Sequence, residues 1–594
     1  MYRPGEEVHV KGWMRVIGAG PNGDVQPLGA SGSQVSWRLR DSRGNEVRTG
    51  VAAVNALGGF TMAFTLTETM NLGPANLELI LSGSPAADGA QYGHTFQVQE
   101  FRRPEFEVKA NAGEGPFFAG ESAAASVAAT YYAGGGLPNA EVVWRVSQSK
   151  GNYSPPGWPD FTFGTWIPWW WGELRGAAGR PGFPRGPVVE TAETFTGRTD
   201  AAGVHRLRID FPAALVPPEP IVVRAEASVM DVNRQAWNAT TNLLVHPAEL
   251  YVGIRSERTF VQREQPLKIE AIVTDLDGKP VPGVQIKMRA ARLDWQYQAG
   301  AWKEVEAVVQ PCTVASANEP VTCTFETPEG GTYRIVASIA DSKGRPNQSQ
   351  FDRWVSGGQR PPTRQVEQEE VTLIPDKKEY RPGDTAEILV QSPFYPAEGL
   401  LTLRRSGLVT NERFVMTGPS YTLKIPIKEG YTPNVWVQVD LVGAAPRTDD
   451  AGQPKPDLPK RPAFAAGELN LAVPPLQRVL KVEARPRDSK LEPGGTTAVD
   501  VKVKDAAGKA VAGAELAVVV VDEAILALTN YQMADPLAVF YSNRPEGVED
   551  VYGRASIILA NPDELAANMP PAEAGDTMAR GAAPMAAAAP APAA

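Results

Sequence analysis

A four-residue phrase, Tyr-Arg-Pro-Gly, constrains this chain more than any other feature, because it occurs twice and each time introduces an alternating apolar stretch. Looser copies keep an apolar first residue and a turn after it. Including these, five copies begin at Tyr2, Phe118, Phe260, Tyr380 and Leu491. The starts are separated by roughly 110–140 residues, which is the spacing of whole domains rather than of solenoid repeats. The chain is therefore predicted to be a row of five similar units.

The stretch that follows each copy alternates between apolar and polar residues with a period of two, as at Leu267, Ile269 and Ala271. Such alternation is typical of a strand with one buried face. A preceding Pro-Gly favours a turn, because Pro fixes φ and Gly accepts positive φ. Turn-like segments such as Asp277–Val284 separate further apolar runs at intervals of about 8–12 residues. The pattern predicts an all-β protein made of antiparallel β-sandwiches, with under about a tenth of its residues helical.

Composition narrows the function classes. A chain of 594 residues is too long for one core and should hold about three to six domains. The net charge is −10 and no basic stripe occurs, which argues against nucleic acid as a partner. With two Cys and four isolated His, a Cys/His zinc site is not expected, and no cofactor is predicted. Gly18–Gly23 matches G-x-G-x-x-G, but more Gly and Pro follow where a helix is needed, which favours a loop over a nucleotide site.

Three longer segments carry a family resemblance. They are FRRPEFEV at Phe101–Val108, AVVVVDEAILAL at Ala517–Leu528, and the Asp-Pro…Phe-Tyr tract at Asp535–Tyr541, which Arg544 follows. Together with the repeated phrase they resemble the bacterial branch of the alpha-2-macroglobulin family over nearly the whole chain. The resemblance implies a tandem array of macroglobulin-type, immunoglobulin-like sandwiches, one of them interrupted by a protease-sensitive bait region. The family's C-x-E-Q thioester motif does not occur, because no Cys follows Cys323.

The phrase starts and the Pro-containing links between units set the expected domain boundaries. The predicted units are 1–103, with its first strand missing; 104–247, with a Trp-rich insertion at about 150–188; 248–358, with the Cys pair; 359–477; an incomplete sandwich at 478–560; and a disordered segment at 561–594. A strand-like segment precedes every later phrase but not Tyr2. This difference predicts that an N-terminal part of the same protein lies outside the chain, and the resemblance implies that the family's thioester part would lie beyond Ala594.

The segment 561–594 is rich in Ala and Pro and poor in large apolar side chains, so it is predicted to be disordered. It is either a plain flexible terminus or a bait, and its position after the Asp-Pro…Phe-Tyr tract favours a bait. Arg580 would suit trypsin-like enzymes, and the small Ala residues would suit elastase-like ones. Met569, Met578 and Met585 would suit chymotrypsin-like enzymes. These four larger residues are the candidate cleavage residues.

The Trp-rich insertion and the two cysteines are the remaining candidate sites. Trp166, Trp169, Trp170 and Trp171 either pack onto the protein itself, contact a partner or stack on a sugar. Cys312 and Cys323 flank a turn-like segment, which predicts a disulfide across a hairpin, with two unpaired thiols as the alternative. A disulfide would imply an oxidising compartment such as the periplasm.

The resemblance implies an endopeptidase inhibitor, present here as a fragment, in which cleavage of the bait triggers a conformational change that traps the protease. The expected partners are endopeptidases, the missing parts of the same protein and a component of the cell envelope. No enzymatic activity, catalytic residue, metal or cofactor is expected. The location implied is periplasmic or associated with the cell envelope, although the chain itself contains no signal sequence. The alternative is a structural or adhesive cell-surface array that binds a partner through the Trp-rich insertion.

Overall fold

Among the residues that the structure describes, the fold is almost entirely β-structure, with 56% of them in strands and 3% in helices. This confirms the all-β class predicted from the alternating pattern. The computed structural model describes the chain apart from residues 1, 29–31, 85–87, 100–105, 132–133, 174–191, 232–233, 235, 299–300, 359–368, 449–453, 493–494, 520–532 and 552–594.

The first unit packs a four-stranded sheet against a two-stranded ribbon. Its strands are β1 (Glu7–Trp13), β2 (Arg15–Ile17), β3 (Val25–Pro27), β4 (Gln34–Arg40), β5 (Glu46–Ala53), β6 (Gly59–Thr65), β7 (Gly73–Ser82) and β8 (Gln91–Val98). The sheet has the order β5-β4-β7-β8 and the ribbon is β1-β6. Alternation determines the core: β7 buries Ala75, Leu77, Leu79 and Leu81 and leaves the residues between them more exposed. The G-x-G-x-x-G segment is the loop between β2 and β3, which excludes the helix that a nucleotide site requires.

The second unit has sheets of five and three strands. Its strands are β9 (Phe106–Ala112), β10 (Phe117–Phe118), β11 (Ser122–Tyr131), β12 (Glu141–Lys150), β13 (Thr162–Phe163), β14 (Glu193–Arg198), β15 (Val204–Asp210), β16 (Ile221–Met230) and β17 (Ala236–His246). The orders are β10-β17-β16-β12-β14 and β15-β11-β9, while β13 pairs outside this unit. The buried Trp144 donates its indole N–H to Nδ1 of His205 over 3.0 Å. Strand β11 lies between two partners, whereas β1 pairs only with β6 among the described strands.

The third unit also has two sheets. Its strands are β18 (Tyr251–Arg255), β19 (Phe260–Val261), β20 (Leu267–Thr274), β21 (Gln285–Gln298), β22 (Ala301–Ala315), β23 (Val321–Phe325), β24 (Gly331–Ala340) and β25 (Pro346–Val355). One sheet is β19-β25-β24-β21-β22. The other is β13-β18-β20-β23, so the insertion of the second unit supplies an edge strand to the third. The two units therefore share a sheet, an arrangement that the sequence pattern did not predict.

The fourth unit contains the largest apolar core of the described residues. Its strands are β26 (Glu369–Glu370), β27 (Thr372–Pro375), β28 (Thr385–Gln391), β29 (Ala397–Arg404), β30 (Leu408–Met416), β31 (Ser420–Pro426), β32 (Asn434–Ala445), β33 (Arg447–Thr448), β34 (Pro454–Lys455) and β35 (Arg461–Ala472). The sandwich consists of β26-β35-β32-β29-β30 and β27-β28-β31, and β33-β34 is a small ribbon. Three residues from elsewhere join its core: Phe260 and Trp354 of the third unit, and Trp170 of the insertion.

The part of the chain after the fourth unit has few described elements. They are one 3₁₀ turn, an exposed ribbon and one short helix: Leu476–Arg478, β36 (Lys481–Pro486), β37 (Val499–Lys504) and α1 (Pro536–Phe540). Strands β36 and β37 pair antiparallel, and β36 is exposed throughout. The incomplete sandwich predicted at 478–560 has this ribbon as its described sheet, and the rest of that prediction remains a prediction.

The repeated phrase has one structural role in four units. It is the point at which the chain forms a short parallel bridge to the last long strand of its own unit: Tyr2 to Val98, Phe118 to His246, Phe260 to Trp354, and Glu379, just before Tyr380, to Ala472. The turn that follows needs positive φ, which Gly5, Gly120 and Gly383 supply at 81°, 78° and 96°. In the third unit the residue in this position is Glu264, at 70°. The phrase is repeated because these four sandwiches close in the same way.

Candidate functional site

The candidate cleavage residues Met569, Met578, Arg580 and Met585 lie outside the described residues. The nearest described segment before them is 533–551, which contains the Asp-Pro…Phe-Tyr tract. This segment shows how the chain is held immediately before the candidate cleavage residues, so the site is built from it.

A short helix begins the segment. In α1, the Asp535 side chain accepts a hydrogen bond from the backbone N–H of Leu537 at 2.9 Å, and Pro536 occupies the first turn. A carboxylate cap followed by Pro is a favourable start for a helix, since Pro at this position has no N–H that needs a partner. The Phe540 ring lies under the Arg15 guanidinium of the first unit, 5.5 Å from its carbon. The Asp-Pro…Phe-Tyr tract is thus a capped turn that rests on the first unit.

Arg544, which follows the tract, binds the fourth unit through its backbone. Its N–H donates to Oδ1 of Asn434 at 2.7 Å, and its carbonyl accepts from Nδ2 of the same Asn at 3.1 Å. The carbonyl also accepts from the indole N–H of Trp436 at 2.9 Å. Asn434 is fully buried, so these bonds form away from water, where an unpaired amide would be costly. The side chains of β32 therefore hold the chain at this residue.

Arg404, the last residue of β29, holds the segment a second time. Its guanidinium donates to both carboxylate oxygens of Asp550, at 2.6 and 2.7 Å, and to Glu546 at 3.2 Å. Between these anchors the N–H of Gly407 donates to the Glu546 carbonyl at 2.8 Å, and a Cβ at Gly547 would lie 2.6 Å from the Gly407 nitrogen. We call the contacts of residues 544–550 with Arg404, Asn434 and Trp436 the clasp.

Charge stabilises the clasp even though the Arg404 side chain is buried. Burial disfavours the cation, but the Asp550 and Glu546 carboxylates outweigh it and raise the pKa of Arg404 above its ordinary value. The side chain of Arg404 is 3% exposed, and those of Asp550 and Glu546 are 30% and 24% exposed. A bidentate Arg–carboxylate pair with this little water is among the stronger ion pairs found in proteins. The clasp is therefore a specific attachment rather than a chance surface contact.

The next residue, Arg405, joins the fourth unit to the first. Its guanidinium donates to the backbone carbonyls of Pro21 and Gly23, each at 2.8 Å, and also to that of Thr432. Burial lowers its pKa, and the nearby cation of Arg544 lowers it further. The accepting carbonyls belong to the loop between β2 and β3 of the first unit. The buried Arg405 cation therefore attaches this loop, and with it the first unit, to the fourth unit.

The same junction has further polar contacts. Arg478 pairs with Asp24 at 3.2 Å. Glu515 accepts from Lys11 and, at 2.7 Å, from the side chain of Asn55, and the Lys11 cation lowers the pKa of Glu515. The chain after the fourth unit therefore contacts the first unit at separate points, most of them through charged or amide groups.

The described residues contain no group of three or more His, Cys, Asp or Glu placed to hold a metal ion. Among them, no helix has the length and apolar character needed to cross a membrane. A cavity of about 400 Å³ opens beside the junction, and the charged side chains on its wall are two Arg, one Asp and one Glu: Arg381, Arg478, Asp24 and Glu429. The arrangement suits holding and positioning of a chain segment.

The four insertion tryptophans pack on the protein itself, which was one of the three alternatives. Trp170 is 3% exposed and belongs to the core of the fourth unit, and Trp166, Trp169 and Trp171 are partly buried against it. Trp166 and Trp170 also form edge-to-face or tilted contacts with Trp354 of the third unit, with ring centroids 6.3 and 5.6 Å apart. A partner contact or sugar stacking through Trp170 is therefore excluded, because its ring is already covered.

Cys312 and Cys323 form a disulfide, with Cα atoms 6.3 Å apart, as predicted. The expected hairpin is wrong, however. Strand β22 pairs with β21 and strand β23 pairs with β20, in different sheets. The turn between the two cysteines crosses from one sheet to the other, so the disulfide connects the edges of both layers. Sequence spacing alone could not distinguish a hairpin from such a crossing.

Sequence reasoning identified Arg544 and the Asp-Pro…Phe-Tyr tract but missed Arg404, Arg405 and Asn434. The signal available was weak, since a pair of Arg at the end of an apolar strand usually marks an exposed edge. Their partners lie more than 100 residues away in sequence. Only the fold brings these residues together.

Protein-family comparisons agree with this geometry. The model of the MG2 domain matches residues 1–98, and the model of the Alpha-2-macroglobulin bait region domain matches residues 371–528, which include the strands that hold the clasp. The chain is 23% identical over 573 residues to an alpha-2-macroglobulin homolog of Nostoc sp., covering 95% of this chain and 28% of that protein. These matches define a protein built from tandem macroglobulin-type sandwiches. Two parts of the chain, residues 1–98 and 371–528, thus match domains of the alpha-2-macroglobulin family.

Other matches cover similar parts of the chain. It is 23% identical over 625 residues to circularly permutated Ras protein 2 of Dictyostelium discoideum, covering 91% of this chain and 15% of that protein. A cryo-EM reconstruction of native E. coli alpha-2-macroglobulin matches 97% of this chain and 36% of its own, with 17% identity and a TM-score of 0.45. A TM-score this low says nothing about how the domains are arranged. The chain spans less than a third of the length of the Nostoc and Dictyostelium proteins.

Proposed function

We propose that this chain is part of an endopeptidase inhibitor in which cleavage of a bait segment triggers a conformational change that traps the protease. The observation that carries the proposal is the match of the bait region domain to residues 371–528. The targets would be endopeptidases and the chain itself would catalyse nothing. Within the chain we place the bait at 561–594, because this segment follows the tract predicted to precede it.

The clasp supports this proposal by its position. It attaches residues 544–550 to the fourth unit about ten residues before the proposed bait, and α1 rests on the first unit. A protease needs an extended, accessible segment, and a fixed attachment on one side of it would limit which residues can enter an active site. A cut beyond a fixed point would also release one end of the chain while the other stays attached. This is the arrangement that a cleavage-triggered change requires.

The adhesive array is the alternative function, and the burial of Trp170 covers one of its four proposed contact residues. That hypothesis placed the partner on the insertion tryptophans, and Trp170 is buried in the core of the fourth unit. No other described feature favours it.

Limited proteolysis tests the proposal. Brief trypsin treatment of this chain should cut first after Arg580, and elastase should cut within residues 581–594. An Arg580→Gln variant should lose the first trypsin cut and keep the elastase cut, which serves as the internal control. In the product of the complete gene, the same cut should change the scattering profile and inhibit the protease toward large substrates. First cuts inside the sandwiches, or a bait cut without a change of shape and without inhibition, would overturn the proposal.

We also propose a periplasmic or cell-envelope location, supported by the disulfide between Cys312 and Cys323. Thiol labelling of protein taken directly from the compartment should find neither Cys free. Complete labelling of both without reductant would contradict the location.

A further inference from the structure

The Trp-rich insertion leaves its own sandwich and crosses two others. It follows β12 of the second unit, where the N–H of Gly151 donates to the Pro220 carbonyl at 2.9 Å. Residues 152–173 then run over the third unit and end on the core of the fourth in a 3₁₀ turn, Trp169–Glu173. We call residues 152–173 the strap.

The strap joins the third unit as part of its sheet. Thr162 and Phe163 pair antiparallel with Ile254 and Gly253 of β18. Two backbone hydrogen bonds extend this contact to β25: the Trp166 N–H donates to the Gln350 carbonyl at 2.9 Å, and the Gln350 N–H donates to the Gly164 carbonyl at 3.0 Å. Backbone pairing of this kind fixes register, so the strap can lie on the third unit in one way only.

The third unit has glycines where the strap passes. A Cβ at Gly253 would lie 2.5 Å from the Phe163 ring, and a Cβ at Gly278 would collide with the Pro156 carbonyl. The indole N–H of Trp158 donates to the carbonyl of Gly278 at 2.8 Å. The surface of the third unit is therefore shaped to accept this segment.

Aromatic rings fix the strap to the fourth unit. Trp170 is almost fully buried among residues of that core, and its ring centroid lies 5.6 Å from that of Trp354. Arg353 is buried beside them, with its guanidinium carbon 5.1 Å from the Trp166 ring centroid, and burial lowers its pKa to about 9. A cation is kept in this apolar place because two aromatic faces, those of Trp166 and Phe351, contact it.

We propose that the strap is a splint that holds the second, third and fourth units as one rigid body. Domains joined end to end by single links normally move relative to each other, unless a large apolar interface prevents it. The strap adds a second connection from the second unit, through a shared sheet in the third, to the core of the fourth. The role of the strap as a splint does not depend on the proposed inhibitory function.

The test replaces residues 152–191 with a six-residue Gly/Ser linker in the full chain. The second sandwich should tolerate this, because β12 and β14 are already antiparallel neighbours with Val146 opposite Glu193. Nitroxide labels on Ala124→Cys and Thr410→Cys, at exposed positions of the second and fourth units, report the distance between these units. The intact chain should give one narrow distance distribution, and the replaced chain one at least twice as broad, while circular dichroism stays that of folded β-sandwiches.

Two point variants distinguish loss of the strap contact from damage to the core of a sandwich. Gly253→Val should displace the strap from β18 and broaden the distribution, because the new side chain meets Phe163 rather than the apolar core of the third unit. Tyr92→Ala, at an exposed aromatic residue of the first unit, is the control and should change nothing. An unchanged, narrow distribution after the replacement and in Gly253→Val, with the sandwiches folded, would overturn the proposal.

Discussion

The junction between the third and fourth sandwiches is made of aromatic rings, whereas the junction between the first and fourth is made of guanidinium groups and carbonyl oxygens. At the first, Phe260, Trp354 and Trp170 belong to the core of the fourth unit. At the second, Arg405 donates to the carbonyls of Pro21 and Gly23. The core of the first unit, by contrast, contains only its own residues among those described.

This difference predicts which junction can rearrange. Apolar contacts are insensitive to salt, and separating them exposes area to water at roughly 25 cal/mol per Å². Buried ionic contacts cost desolvation when they form and regain hydration when they open, so their net contribution is small relative to their strength. We therefore expect the second to fourth units to move together, and any change of shape to occur where the first unit, the fourth unit and the clasp meet.

The largest expected effect is at the aromatic junction. Trp170→Ala removes a buried ring from the core of the fourth unit and should destabilise that unit by about 3–5 kcal/mol. Trp170→Phe should cost clearly less, because part of the volume remains. Urea unfolding followed by fluorescence measures both. A loss under about 1 kcal/mol for the Ala variant would mean that the ring contributes little, and the comparison of the junctions would fail.

The disulfide lies inside the rigid body, and its removal should act on one unit only. Cys312→Ser with Cys323→Ser opens a link between residues 11 apart in sequence and should cost the third unit about 3 kcal/mol in the loop-entropy model. The distance between the second and fourth units should stay unchanged, because the strap contacts β18 and β25 rather than β22 or β23. Differential scanning calorimetry and the label distances measure the two effects separately. A broadened distance distribution would show that the disulfide, and not the strap, holds the orientation.

Sequence reasoning could predict the features that are local. Alternation identified strands such as β20 and β28, because inward and outward faces follow directly from a period of two. The repeated phrase predicted equivalent units, and the fold shows the common reason, a parallel bridge at the same point in four sandwiches. The cysteine pair was also within reach, since only two Cys occur.

Other features depend on contacts between units and left no local signal. Strand β13 is two residues long and pairs with another unit, so no periodicity marks it. From the sequence, Arg404 is expected at an exposed strand end, because its partner Asp550 lies 146 residues away. The turn between Cys312 and Cys323 likewise crosses from one sheet to the other. This crossing follows from the sandwich topology, and the spacing of the cysteines does not predict it. The sequence therefore predicted the units better than their junctions.

A smaller effect is expected at the clasp. Arg404→Met keeps the length of the side chain but removes its bonds to Asp550 and Glu546, so residues 544–550 should open more easily by about 2 kcal/mol. Amide hydrogen exchange of that segment should rise about 30-fold, while the global unfolding midpoint hardly changes. Arg413→Met, an exposed Arg of the neighbouring strand β30, is the matched control. Added salt should accelerate exchange in the native clasp and have no such effect on the strap. Equal exchange in both variants would contradict the role given to Arg404.

The smallest expected effect is a pH dependence at the seam of the second and third units. His246 is buried there, with its Nδ1 2.8 Å from the hydroxyl of Tyr251 and its ring against the edge of Tyr153. Burial lowers its pKa from 6.5 to about 4. Between these values the unfolded chain binds a proton that the folded chain does not, so this residue should make stability fall as the pH drops from about 6.5 to 4 and leave it constant above that window. The His246→Gln variant cannot be protonated at this position. Subtracting its free energy of unfolding from that of the native chain removes the contribution of the carboxylates, because they titrate in both proteins. The difference, measured by urea unfolding, should decrease by at least about 1 kcal/mol across the window. A difference that stays flat from pH 7 to 4 would place His246 in contact with solvent. The seam would then resemble the polar junction between the first and fourth units and would not be part of the rigid body.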